Sequence, residues 1–214
     1  MYKSIYAGMT KPTVTPIVDG EYGAVLFQMI QIGHQKFSKD GKEWYSPQIM
    51  VGFELPGLTY DTKDGPVTQI KSSTYFLSLN ESRNGQIGLR EVIDGLRNGV
   101  EWTEEELEQF DIAQYMGRPC RIAISGVESK GKVYSNITGV FAVDQTEGAD
   151  LMLNAKRPQV FVTVDDFSDE AVLSTLPNWI QEKIRSSQEY QELIVKENEP
   201  EVEEKEIKLS DIPF

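Results

Sequence analysis

The sequence predicts a mainly β fold: a five-stranded barrel with a helical insert between its third and fourth strands, then a C-terminal helix and a disordered acidic tail. Three observations predict it. The first half holds three runs rich in β-branched, aromatic and large apolar residues, each bounded by Gly, Pro or Asp-Gly signals. Helical patterns follow from about residue 80, and then two more apolar runs separated by a short polar loop. The last stretch, residues 192–214, holds eight acidic residues against three lysines.

Residues 1–20 read as an irregular arm, because Pro12, Thr13, Thr15 and Pro16 interrupt any regular element. The first strand is Glu21–Ile32, in which Leu26, Gln28, Ile30 and Ile32 alternate imperfectly with Phe27, Met29 and Gln31. Gly33 ends it, and a polar loop, His34–Glu43, carries the turn signal Asp40-Gly41. The second strand is Trp44–Leu55, closed by Pro56-Gly57. A second loop, Thr59–Asp64, leads to a third strand at Val67–Leu79.

Asn80 is the candidate cap of a helix whose stripe is Ile87, Val92, Ile93 and Leu96, with Gly88 and Gly95 weakening it. Thr103-Glu-Glu-Glu106 is a capping box that opens a short helix to Phe110. Arg118–Gly126 and Lys132–Val143 then form a hairpin through Val127–Lys132. Three strands, a helical insert and two strands is the element order of the OB-fold, a five-stranded Greek-key barrel. The barrel domain is therefore assigned to residues 1–145. Lys156–Val164 reads as one more strand or an extended arm. Thr175–Ile184 reads as a helix with Leu176, Trp179, Ile180 and Ile184 on one face. Residues 146–191 are thus an arm and helix packed on the barrel. From Glu192 onward the dense charge cannot offset the chain entropy of folding, so 192–214 is read as disordered.

Composition narrows the function classes. With 214 residues, 39% of them hydrophobic, the chain can bury one sizeable core. No apolar run approaches the ~18–20 residues that span a bilayer. The start lacks a signal-peptide pattern, so a cytoplasmic protein is expected, with no membrane partner. Cys120 is the one cysteine and His34 the one histidine, which argues against a zinc site, Cys–His catalysis or a metal. No Gly-x-x-x-x-Gly-Lys loop occurs, and Glu104, Glu105, Glu106 and Glu108 read as a solvated helix face. No enzyme and no cofactor is expected. The net charge of −13 excludes a generally basic surface and leaves a local groove as the only form a nucleic-acid site could take.

The chain ends Leu209-Ser-Asp-Ile-Pro-Phe214 behind its acidic linker. That ending is similar to the tail of bacterial-type single-stranded DNA-binding proteins. The resemblance implies that Asp211, Ile212, Pro213 and Phe214 dock on replication proteins such as a helicase, primase, nuclease or polymerase subunit. Pro213 stiffens the tip, Ile212 and Phe214 are apolar anchors, and Asp211 adds negative charge for a basic pocket. The departure is a single aspartate preceded by Ser210, where the family commonly has several. Phe110–Ile124 and Leu176–Ile184 resemble proteins encoded among the replication genes of tailed bacteriophages, which would place the protein in the host cell cytoplasm.

Single-strand binding needs stacking surfaces beside positive charge, which OB-folds carry on strands 2 and 3 and on the loops joining strands 1–2 and 4–5. The 1–2 loop offers Lys36, Phe37, Lys39, Lys42, Trp44 and Tyr45. Strand 3 offers Lys71 and Tyr75, and the 4–5 loop Lys130, Lys132 and Tyr134. Trp44 could equally be core, and Tyr75 and Tyr134 barrel wall. Phe37, between Lys36 and Ser38 in a polar loop, has no evident core role. The expected function is to coat and protect single-stranded DNA in replication and recombination and to recruit partners, with homo-oligomers left open. The alternatives are a recombination mediator or annealing accessory, and an acidic decoy of the host tail.

Overall fold

The structure, a computed structural model, describes residues 16–80, 87–108, 110–129 and 131–198. Its longest strands, β1 (Gly20–Lys39) and β2 (Lys42–Thr62), meet at Asp40-Gly41. Both turn residues have positive φ, 52° and 74°. That is the type I′ geometry, whose twist matches antiparallel strands. The segment expected as a polar loop, His34–Glu43, is therefore strand on either side of a two-residue turn. Nothing in a polar composition forbids this when the ribbon is exposed. Gly33 does not end β1 either: it bends within it at φ +71°. Pro56-Gly57 likewise lies inside β2, where the pairing with β3 (Gly65–Phe76) shifts register between Leu55 and Thr59. A bulge is where a sheet tolerates proline.

Two compact units divide the chain, and β1 and β2 contribute to both. The first comprises the described residues up to Gln31 together with Pro47–Val162. After β3 come the helices α1 (Leu89–Leu96) and α2 (Glu104–Glu108) and a 3₁₀ turn at Ile112–Tyr115. Strands β4 (Pro119–Ser129) and β5 (Lys132–Phe141), helix α3 (Gln145–Asn154) and the short β6 (Val160–Val162) complete it. The strand order is β3-β2-β1-β4-β5, with β6 pairing in parallel with β1 at Gln28–Ile30. The result is a mainly β fold whose curled, mostly antiparallel sheet forms a half-barrel of six strands rather than the five expected.

The core lies on one face of this sheet: Leu26, Ile49, Val51, Phe53, Leu55, Ile122 and Ile124, closed by Val92, Ile93 and Leu96 of α1. Along β1, Val25, Leu26, Phe27, Met29 and Ile30 are all buried, so both faces of the strand are covered. That is why its alternation is imperfect in the sequence. A Cβ on Gly95 would meet the Val140 carbonyl oxygen at 2.1 Å, so this glycine lets the α1 backbone press on β5.

Helix α1 begins after Gly88, whose N–H donates to the Glu91 carboxylate, rather than at Asn80. The capping box at α2 forms as expected: Glu106 N–H donates to Thr103 Oγ1, and Thr103 N–H to Glu106 Oε2. Arg97 ties the insert together. Its buried guanidinium donates to Glu106 at 3.0 and 3.1 Å, to the Tyr115 hydroxyl and to the Val100 and Glu101 carbonyls, and lies 4.2 Å over the Trp102 ring. Glu54 plays a similar part on the sheet. Its fully buried carboxylate accepts from Thr68 Oγ1 at 2.5 Å and from the backbone N–H groups of Lys156 and Arg157 at 3.0–3.1 Å. This pins the chain between α3 and β6 to β2.

The second unit comprises Ile32–Ser46 and the described residues from Thr163 onward. A 3₁₀ turn at Val164–Ser168 leads to α4 (Glu170–Ser174), α5 (Asn178–Arg185) and α6 (Gln188–Asn198). Phe167, Leu173, Leu176, Ile180 and Ile184 are buried. The expected disorder from Glu192 is corrected over 192–198, which form the last seven residues of α6. The remainder of the acidic tail and most of the N-terminal arm lie outside the described residues. Among the described residues, no helix is long and apolar enough to cross a membrane.

Candidate nucleic-acid interface

The two-residue turn sets the register of the ribbon in the second unit. Lys39 stands opposite Lys42, Ser38 opposite Glu43, and Phe37 opposite Trp44. The Phe37 and Trp44 rings stack across it, with centroids 5.7 Å apart and planes 19° from parallel. Side chains alternate along a strand, so Lys39 and Lys42 share their face with this aromatic pair. Trp44 is 43% exposed, which removes it from the core and makes it a surface platform. Lys39 and Lys42 are exposed and have no ion pair among the described residues.

The opposite face differs. Lys36 pairs with Glu43 at 2.7 Å, and that hydrogen bond raises the lysine pKa. Tyr45 lies on this side and is half exposed. Among the described residues, the ribbon lysines without an ion pair thus lie on the aromatic face.

The base of the ribbon is clamped to α5 and α6. Glu189 accepts from the His34 backbone N–H at 2.7 Å and lies 2.6 Å from His34 Nδ1. Burial pushes the Glu189 carboxyl up, but the hydrogen bonds from the ring and backbone of His34 outweigh it and hold it below the usual carboxylate range. Gln35 Nε2 donates to the Lys183 carbonyl at 3.0 Å. A Cβ on Gly33 would fall 2.6 Å from both Glu189 Oε2 and Ser187 Cβ, so the strand approaches the helix corner as closely as glycine allows.

In the first unit the remaining candidates separate. Tyr75 takes the wall position: it is 6% exposed and belongs to the core. Burial pushes its pKa up to about 12, against a smaller pull from the Ser73 hydroxyl, which falls short of a hydrogen bond. Lys71 lies on the same sheet face, opposite Phe53, and its ammonium donates to the Ser135 carbonyl of β5; burial lowers its pKa. Tyr75 is withdrawn from solvent, and Lys71 is half-buried with its ammonium engaged by that carbonyl. Lys132 and Tyr134 stand exposed at the end of the β4–β5 hairpin, Tyr134 opposite Val127. Lys130 and the docking residues Asp211, Ile212, Pro213 and Phe214 lie outside the described residues.

Several contributors were not legible. Glu189 falls three residues before the expected start of the tail at Glu192, and nothing in its local pattern signals a clamp on His34. Trp179, assigned by spacing to the apolar stripe with Ile180 and Ile184, is 51% exposed while those two are buried. Cys120 is buried and its thiol pKa is pushed up by burial, as a structural residue requires. Among the described residues no group of three His, Cys, Asp or Glu side chains is placed to hold a metal ion. No protein-family model and no curated protein matches the chain.

Proposed function

We propose that the chain is a single-stranded DNA-binding protein of OB type, acting in replication and recombination without catalysis. The observation that carries this reading is the stacked Phe37–Trp44 pair sharing one ribbon face with Lys39 and Lys42, which have no ion pair among the described residues. Aromatic faces accept bases of any sequence, and adjacent ammonium groups meet the phosphates between them. Such ribbons and loops between the first two strands are where OB barrels engage single strands.

The strand order supports the OB assignment. β1 is flanked by β2 and β4, β3 and β5 lie at the outer edges, and α1 falls between β3 and β4 in the chain. The bond from Lys71 to Ser135 spans β3 and β5, the two edges whose approach would close a barrel. Recruitment of replication proteins through Asp211-Ile-Pro-Phe214 belongs to the same proposal and rests on the resemblance of that segment.

Fluorescence-polarisation titration tests the reading, with single-stranded and duplex DNA compared over a range of salt. The expected result is preference for the single strand, little dependence on base composition, and affinity that falls with salt as counterions are released. Equal affinity for the duplex overturns it.

A further inference from the structure

We infer that the single-strand track continues from the ribbon onto helix α5, with Trp179 as a further stacking platform and Lys183 as its phosphate contact. This rests on the single-strand reading proposed above and extends it to residues that lie far away in the sequence.

The ribbon's own alternation points there. Gln35, Phe37 and Lys39 project from one face of β1. Gln35, at the base of that face, reaches α5 directly through its bond to the Lys183 carbonyl at 3.0 Å. His34, on the opposite face, is taken up by Glu189 of α6. The aromatic face of the ribbon is therefore the one that rises beside α5.

Helix α5 offers a matching surface. Ile180 and Ile184 are buried, whereas Trp179 leaves half its surface in water. A tryptophan so exposed on a well-packed helix forgoes burial that its large ring would otherwise supply. Lys183 follows Trp179 by four residues, so both side chains lie on one face about 6 Å apart along the axis, near the spacing of successive phosphates. Arg185, the other cation of this helix, is engaged by Glu170, while Lys183 has no ion pair among the described residues. Aromatic ring and free ammonium recur on α5 in the combination found on the ribbon.

The test uses the full chain and its Trp179→Ala, Trp179→Phe and Lys183→Gln variants, titrated with oligothymidylates of about 4 and about 16 nucleotides, the range of site sizes for single barrels. With the longer strand, Trp179→Ala should bind at least about fivefold more weakly, Trp179→Phe should recover most of the loss, and Lys183→Gln should show a shallower salt dependence. With the shorter strand, which the ribbon alone accommodates, the three variants should match the parent. A purely structural role for Trp179 would weaken both lengths alike, and that result overturns the inference. Parent-like binding of Trp179→Ala to the longer strand also overturns it while leaving the single-strand reading intact. Failure of the parent to bind either strand removes that reading itself.

Discussion

Glu54 offers the sharpest test of how the first unit is held together. Its carboxylate is fully buried, and three donors converge on it: Thr68 Oγ1 on Oε1, Arg157 N–H on Oε2, and Lys156 N–H on both oxygens. Glu54→Ala strands all three. The Thr68 bond is buried and the two backbone bonds are partly so; a buried donor without a partner costs about 1–3 kcal/mol, so the variant should lose roughly 2 kcal/mol or more of unfolding free energy. Glu54→Gln behaves differently. If its amide nitrogen takes the Oε1 position, the Thr68 hydroxyl can rotate to accept from it. The remaining oxygen then serves both backbone N–H groups from the Oε2 position. Only the charge-assisted part of the bonding is lost, about 1 kcal/mol. Urea denaturation of the parent and both variants, with unchanged m-values, measures the difference. A Gln variant as unstable as the Ala variant, or an Ala variant within about 0.5 kcal/mol of the parent, would refute the account of Glu54 as an acceptor serving three donors.

Two further outcomes follow from the insert and its docking. Gly95→Ala should destabilise by about 1–3 kcal/mol although alanine is the better helix former, because its methyl would collide with the Val140 carbonyl; circular-dichroism melting checks this, and a raised melting temperature contradicts it. Glu106 is held down to about 2 from 4.5, chiefly by the hydrogen bonds from Arg97. A depressed carboxyl stabilises the fold above its ordinary pKa and loses that contribution as pH falls through the depressed one. The stability gap between the parent and Glu106→Gln should therefore narrow as pH drops from 4.5 toward 2, and a pH-independent gap contradicts the assignment.

The sequence made the β-rich order of elements legible because large apolar and β-branched runs leave a direct trace, as does the Thr103–Glu106 box. It concealed the length of the strands. Gly33 and Pro56-Gly57 look like terminators, yet one is a close approach to a helix corner and the other a bulge, both set by partners distant in the chain. The Lys–aromatic cluster was visible in composition, and the Asp40-Gly41 turn was the clue to its register. What could not be read was which members share a face. Tyr75 and Lys71 turn to the core side of β3, while the apolar Ile70 and Phe76 stand exposed on its other face, so the apolar pattern does not mark which side is inward. Trp179 shows the converse limit: helical spacing marks a stripe, and the edge of that stripe can be solvent.

The role proposed for the ribbon platform is tested most directly by the binding of a Phe37→Ala/Trp44→Ala double variant to single-stranded DNA. Both residues lie on an exposed ribbon whose base is fixed by His34, Gln35 and Glu189, so the variant should retain its fold by circular dichroism. Stacking on each ring is worth about 1–3 kcal/mol, so affinity for single-stranded DNA should fall by at least roughly thirtyfold. A folded double variant that binds single-stranded DNA as tightly as the parent would contradict the account.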